Sequence, residues 1–361
     1  MLYYLAQLRE VFFGFNIFRY ITFRAALAAV TAFLLSMILG PLVIRAFRRG
    51  RIHEDVKRKD CPALDEFHQA KAGTPTMGGI FVIGSILISV LLWADLTNWY
   101  IRLTFMTCLA LAFLGGIDDW IKLKKTARRG LRARTKFAWQ LALGCVIGAF
   151  IYCHPSLSTQ LDVPFCKSCA INIGIFYIPF AILVIVGSSN AVNLTDGLDG
   201  LAIGCVLIVS FAMSILSYIS GHLKFSEYLL VPYIPGAGEL TVFCAAIVGA
   251  SLGFLWFNCY PASIFMGDVG SLALGGTLGV VAVLIKKELL LGLLGGIFVI
   301  EALSVILQVT SFQIRGKRLF KVSPFHHHLQ LSGWNESKII VRFWIIAIIL
   351  ALLTLVTLKI R

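Results

Sequence analysis

A chain of 361 residues with 58% hydrophobic and only 14% charged residues, at a mean hydropathy of +0.87, carries more apolar surface than a soluble fold can bury. Composition therefore predicts a polytopic membrane protein and excludes a soluble enzyme. The net charge of +14 brings no aromatic-interleaved nucleic-acid motif with it, so the excess of Lys and Arg reads as the basic bias of cytoplasmic loops.

The first element is "MLYYLAQLREVFFGFNIFRY". Arg9, Glu10 and Arg19 interrupt it and it has no small-residue cleavage site, so it reads as an interfacial amphipathic helix over 1–22, not as a removable signal peptide. Apolar stretches of about 20 residues then predict ten spans, at 23–45, 76–94, 101–117, 137–152, 173–190, 201–220, 241–257, 271–285, 289–310 and 339–358. The predicted fold class is all-α, a polytopic integral membrane protein of about ten transmembrane helices in a single domain over 1–361.

Charge sets the sidedness. The loop after the first span carries Arg45, Arg48, Arg49, Arg51, Lys57, Arg58, Lys59 and Lys71, and the loop after the third runs from Lys122 to Lys136 with eight basic residues. Arg315, Lys317, Arg318, Lys321 and Lys338 precede the tenth span, whereas the opposite loops hold only Lys167, Lys224, Lys286 and Lys287. The crowded side is predicted to be cytoplasmic, with both termini periplasmic. Alternation puts "NAVNLTDGLDG" and "NCYPASIFMGDVG" on that cytoplasmic side too, so the polar segments share one face.

"AFLGGIDDWIK" sets Asp118 and Asp119 at the carboxyl end of the inward-running third span, where the helix dipole favours cations. Capping does not account for them. Adjacent carboxylates in basic surroundings suit Mg²⁺ and phosphate, and acids at a span end point to function, against the alternative of a solvated loop start beside Lys122. Asp196, Asp199 and Asp268 precede apolar runs, so Asp199 or Asp268 could cap a helix. Yet Asn190, Asn193, Thr195, Asp196 and Asp199 lie among glycines that admit a ligand close to the backbone, and their side chains could read a base or a ribose.

"SPFHHHLQLSGW" holds His326, His327 and His328. Three neighbours in a helix or strand cannot all face one ion, and no Cys or acid nearby completes a zinc site. Their basic neighbours suit a diphosphate-binding surface, or simply a polar interfacial loop. Lys71 in "KAGTPTMGG" could hold an anion or be one more cytoplasmic lysine. Glu301, inside the ninth span, requires a partner or a water-filled cavity. Of nine cysteines only Cys166 and Cys169 form a CxxC, which without a second pair suggests a disulfide or two idle thiols more than zinc.

The stretches "AGTPTMGG", "GGIDDWIK", "NAVNLTDGLDGLA", "GFLWFNCYPASIFMGDVGSLALGG" and "SPFHHHLQLSGW", in this order, resemble the bacterial phospho-N-acetylmuramoyl-pentapeptide transferases. The resemblance covers nearly the whole chain. It implies transfer from UDP-N-acetylmuramoyl-pentapeptide to undecaprenyl phosphate in the bacterial inner membrane, giving lipid I and UMP with Mg²⁺ as cofactor. It also implies a homodimer with a cytoplasmic cleft. Carried over by residue, Asp268 is the expected Mg²⁺ ligand, and Asp118 and Asp119 serve metal and lipid phosphate. Asn193, Asp196, Gly197, Leu198, Asp199, Asn258 and Phe265 form the expected nucleoside pocket. Lys71, Lys136 and the three histidines hold phosphates and sugar. The rivals are a polyprenyl-phosphate transferase taking a UDP-N-acetylhexosamine and, less well supported, a secondary transporter, whose site would lie near the bilayer midplane.

Overall fold

The computed structural model describes residues 2–10, 12–50, 73–124, 130–154, 157–164 and 170–359; Lys71 and the Cys166–Cys169 pair lie outside them. Among the described residues nine helices are long and apolar enough to cross a membrane, and Gly79–Trp93 is a shorter apolar helix in the place of the second predicted span. In chain order the first helices are α1 (Ile21–Arg49), α2 (Gly79–Trp93), α3 (Trp99–Leu123), α4 (Ala133–Cys153), α5 (Tyr177–Thr195), α6 (Leu201–Ser220) and the short α7 (Leu223–Leu229). They are followed by α8 (Leu240–Asn258), α9 (Gly267–Leu284), α10 (Glu288–Leu294), α11 (Gly296–Arg315), α12 (Phe325–Gln330) and α13 (Glu336–Thr357).

Residue size decides which faces meet. On α1, Ala25, Ala28, Ala32, Ser36 and Gly40 recur every three or four residues and are buried, while Val30, Leu34, Ile38 and Leu42 are exposed. Lipid tails are as apolar as leucine, so close packing of small residues, not hydrophobicity, holds such helices together. The small stripe packs on α8 and leaves the large residues for lipid. Helix α9 is the hub, with 89% of its apolar window buried against α3, α5 and α2. Its run "GSLALGGTLGVVAVL" is small and apolar all round, as a central helix must be.

Four details differ from the sequence expectation. The amino-terminal segment forms two 3-10 helices, Leu2–Glu10 and Phe13–Arg19, instead of one α-helix; Gly14 and the clustered aromatics are weak α-helix formers. Buried Arg24 donates to Glu239 at 2.5 and 2.7 Å and lies 4.7 Å from the Tyr3 ring, which anchors that segment to α1. Helix α3 continues to Leu123, past the predicted end at 117, because a hydropathy boundary stops at the first charge while the backbone ladder does not. The ninth span, predicted over 289–310, is broken at Gly295 into α10 and α11, where two adjacent glycines weaken the helix. Finally, β1 (Gln160–Asp162) and β2 (Ala170–Asn172) pair antiparallel, a small exception to the all-α class.

The hairpin belongs to a polar knot at the carboxyl end of α9. Lys287 is buried and paired with Asp162. Lys286 donates to the Tyr177 hydroxyl at 2.7 Å, and that hydroxyl donates to Glu288 at 2.5 Å.

Candidate active site

The amino end of α9 holds the opposite arrangement. Asp118 and Asp119, in the last turns of α3, meet Asp268 in the first turn of α9, and all three are buried. One oxygen from each lies within 4.8 Å of the others. Glycine makes this approach possible. A Cβ on Gly115 would sit 2.2 Å from the Asp268 carbonyl oxygen, and one on Gly267, where φ is +75°, would sit 2.6 Å from Asp119 Oδ2. The positive end of the α9 dipole offsets the charge that the α3 terminus disfavours, and Val269 N donates to Asp119 Oδ2 at 3.2 Å.

Two ammonium groups complete the cluster. Lys122 Nζ lies 2.9 Å from Asp118, 3.5 Å from Asp119 and 3.0 Å from Asp268. Lys136 Nζ, from the first turn of α4, lies 2.6 Å from Asp268 and 3.7 Å from Asp118. Asn193 on α5 donates to Asp268 Oδ1 at 2.7 Å, and Leu131 N donates to Asp118 Oδ1 at 2.7 Å. Three carboxylates against two ammoniums leave one negative charge when all five are ionised. Clustered hard oxygens with a net negative charge fit a divalent cation of the Mg²⁺ type, while the lysines can meet phosphate oxygens.

The "DGLDG" turn begins three residues after Asn193 and is held by side-chain to backbone hydrogen bonds. Asn258 accepts from Gly200 N at 2.9 Å and donates to Ile264 O at 2.8 Å, joining the turn to the 259–266 loop. Asp199 accepts from Ala262 N at 3.0 Å, and its own N–H donates to Glu336 at 3.0 Å. Neither Asp199 nor Asp268 caps a helix: the caps of α6 and α9 are Gly200 and Met266, without side-chain hydrogen bonds. Asp196 is the C-cap of α5 and is partly exposed, whereas Leu198 is buried. Phe265 is partly exposed on a backbone fixed from both sides, by Phe265 N to Pro75 O and by Gly78 N to Phe265 O, each at 2.8 Å.

The three histidines diverge, as neighbours on a helical turn must. His326 is fully buried, with Nδ1 3.1 Å from Glu301 and Nε2 against Gly197, where a Cβ would meet it at 2.2 Å. Glu301 thus has its partner: His326 supplies the ring, and its backbone N donates to the same carboxylate at 3.2 Å. His327 is buried and bonded to Gln330 at 2.8 Å. His328 is partly exposed, and its Nδ1 accepts from Lys321 N at 3.2 Å.

The sequence matches the model of Glycosyl transferase family 4 over residues 101–286 and the Phospho-N-acetylmuramoyl-pentapeptide-transferase signature 1 over residues 71–83. The phospho-N-acetylmuramoyl-pentapeptide-transferase of Citrifermentans bemidjiense is 53% identical over 347 residues, 96% of each chain. Those of Thermodesulfovibrio yellowstonii and Desulfotalea psychrophila are 52% and 50% identical, over 99% and 100% of each chain. The chain belongs to the phospho-N-acetylmuramoyl-pentapeptide-transferase family.

The described part of the family signature, from Gly73 onward, lies against the acidic cluster. Met77 has φ +68°, and Gly79 N donates to Met266 O at 2.8 Å, two residues from Asp268. In the sequence Lys122 reads only as a loop charge. Its spacing, three and four residues after Asp119 and Asp118, was the available signal, because on a continuing helix it falls on the same face. Gln140, Ser189 and Glu336 carry no signal in the sequence. Of the predicted residues, the structure joins Asp118, Asp119, Asp268, Lys136 and Asn193 in one cluster. Asn258 and Asp199 serve the neighbouring turn, and His326 and Glu301 pair with each other.

Proposed function

We propose that the protein transfers phospho-N-acetylmuramoyl-pentapeptide from its UDP derivative to undecaprenyl phosphate, giving lipid I and UMP. The observation that carries this reading is the convergence of Asp118, Asp119 and Asp268 with Lys122 and Lys136 at one end of the helices, in a chain of this family. Asp268, Asp118 and Asp119 would hold Mg²⁺, which when bound would offset the charge of the donor diphosphate.

The chain's own groups divide the remaining work. Lys136 and Lys122 attract phosphate oxygens to the acidic cluster and keep three carboxylates compatible in one buried place. Phe265, partly exposed beside the "DGLDG" turn, supplies an aromatic face for uracil, and Asn193 and Asp196 supply polar atoms near it. Both Asp118 oxygens are engaged, Oδ1 by Leu131 N and Oδ2 by Lys122. That supports direct attack by the lipid phosphate over a covalent aspartyl intermediate. The attacking phosphate needs little help from a base, since its second pKa is about 6. Lys71 and the histidine segment would extend the site toward the diphosphate and sugar.

In this reading the cleft opens to the cytoplasm and both termini face the periplasm, as the basic loops require. The protein works as a homodimer in the bacterial inner membrane. UMP release by the purified protein, with undecaprenyl phosphate, Mg²⁺ and either UDP-N-acetylmuramoyl-pentapeptide or UDP-N-acetylglucosamine, is the test. Turnover of the muramoyl donor alone supports the assignment; turnover of the hexosamine donor alone moves the protein to that branch; release from neither, by folded protein, overturns it.

A further inference from the structure

One helical turn beneath the acidic cluster lies a second polar layer. Gln140 follows Lys136 by four residues on α4, Ser189 and Asn190 precede Asn193 on α5, and Leu272 follows Asp268 by four residues on α9. Because α5 reaches the site by its carboxyl end and the other two by their amino ends, these positions fall at one depth. They are joined there. Gln140 Nε2 donates to Ser189 Oγ at 3.2 Å, Ser189 donates to Leu272 O at 2.9 Å, and Asn190 Nδ2 donates to Gln140 Oε1 at 2.9 Å. Asn190 also donates to Val186 O of its own helix at 2.8 Å.

The upper layer shows what this lower one is set to control. Lys136 on α4 holds Asp268 Oδ2 at 2.6 Å, and Asn193 on α5 holds Oδ1 at 2.7 Å. Two helices thus grip opposite oxygens of one carboxylate, so their relative rotation and slide fix its plane. Apolar helix faces tolerate small shifts in register, whereas an amide hydrogen-bonded at both its nitrogen and its oxygen in a low-dielectric interior does not, since an unpaired polar group there is costly. Gln140 is 2% exposed and Ser189 is 1% exposed, so neither offers its side chain to a substrate.

We infer that Gln140, with Ser189 and Asn190, is a positioning residue: the layer locks α4, α5 and α9 in the register that aims Lys136 and Asn193 at Asp268. Asn190 then belongs to this lock instead of the nucleoside pocket. The inference rests on the reading of Asp268 as the metal-binding carboxylate.

The test uses Gln140→Met, which keeps volume without the amide, Ser189→Ala, which removes one hydroxyl, and their double variant, with Asp268→Asn alongside. Partners that orient a metal ligand typically contribute about 10–100-fold in metal affinity or activity. Each single variant should therefore lower kcat and raise the Mg²⁺ concentration for half-maximal UMP release by a combined factor of about 10. KM for the UDP donor should stay within about twofold, the mark of uniform substrate binding left intact. The double variant should match the worse single one, because one network is lost once. A fall in Tm with unchanged kcat per folded molecule and unchanged Mg²⁺ requirement would overturn the inference and leave a packing role only. If Gln140→Met does not fold, Ser189→Ala carries the same readouts. Wild-type turnover by Asp268→Asn would overturn the site reading itself; an inactive Asp268→Asn with unaltered Gln140 and Ser189 variants would overturn the positioning role alone.

Discussion

Asp268→Asn keeps the shape of the side chain and removes one charge from the centre of the site. In the native protein Oδ2 takes Lys136 at 2.6 Å and Lys122 at 3.0 Å, while Oδ1 takes the Asn193 amide at 2.7 Å. An asparagine cannot satisfy all three. Whichever way it turns, its NH₂ faces a donor, either the two ammoniums or Asn193. A buried donor left without an acceptor costs about 1–3 kcal/mol. Breaking a buried ion pair costs about 3–5 kcal/mol, but here the lysine side chains are 29% and 17% exposed and both keep Asp118. The net loss of stability should therefore stay at about 1–3 kcal/mol, seen as a Tm lowered by a few degrees. The loss in turnover should be larger. A carboxylate that holds the charge-neutralising metal is worth several kcal/mol, and about 4 kcal/mol corresponds to about 10³-fold in kcat. UMP release across a Mg²⁺ titration, with Tm measured on the same preparation, separates the two effects. A kcat within about tenfold of wild type at saturating Mg²⁺ would refute the assignment of Asp268, because about 1.4 kcal/mol is too little for a metal ligand.

Three further outcomes are expected. Phe265→Ala should weaken binding of uridine-containing ligands with little change in Tm, and an unchanged dissociation constant in calorimetry would remove the ring from the pocket. Gly115→Ala would place a Cβ 2.2 Å from the Asp268 carbonyl; forcing α3 from α9 should cost about 1–3 kcal/mol and lower kcat along with Tm, whereas a wild-type rate would show that the close approach is dispensable. At the other end of α9, burial pushes Lys286 down from 10.5 to about 8 against the opposing pull of Glu288. Between those values the unfolded chain binds a proton that the native fold does not, so this residue's contribution to stability should rise with pH from about 8 to about 10.5, by linkage. Lys286→Met should flatten that part of a Tm-against-pH curve, and an unaltered curve would contradict the burial argument.

The sequence by itself determined the membrane class, the order of the helices and most of the acidic site. Hydropathy is a one-dimensional property, and a helix in lipid must satisfy its own backbone, so runs of apolar residues translate almost directly into helices. Asp118 and Asp119 stood out because a charge at a span end is costly, and their neighbour at position 268 followed from the resemblance. The tertiary structure decided how these groups act on one another. That Lys122 turns inward depends on α3 continuing past its last apolar residue. That Glu301 meets His326, and that Gln140 meets Ser189 and Asn190, depends on which faces of distant helices touch. Small residues leave the space for such approaches, Gly197 for the His326 ring and Gly115 for the Asp268 backbone. Spacing along a helix reveals a shared face; only packing reveals what that face meets.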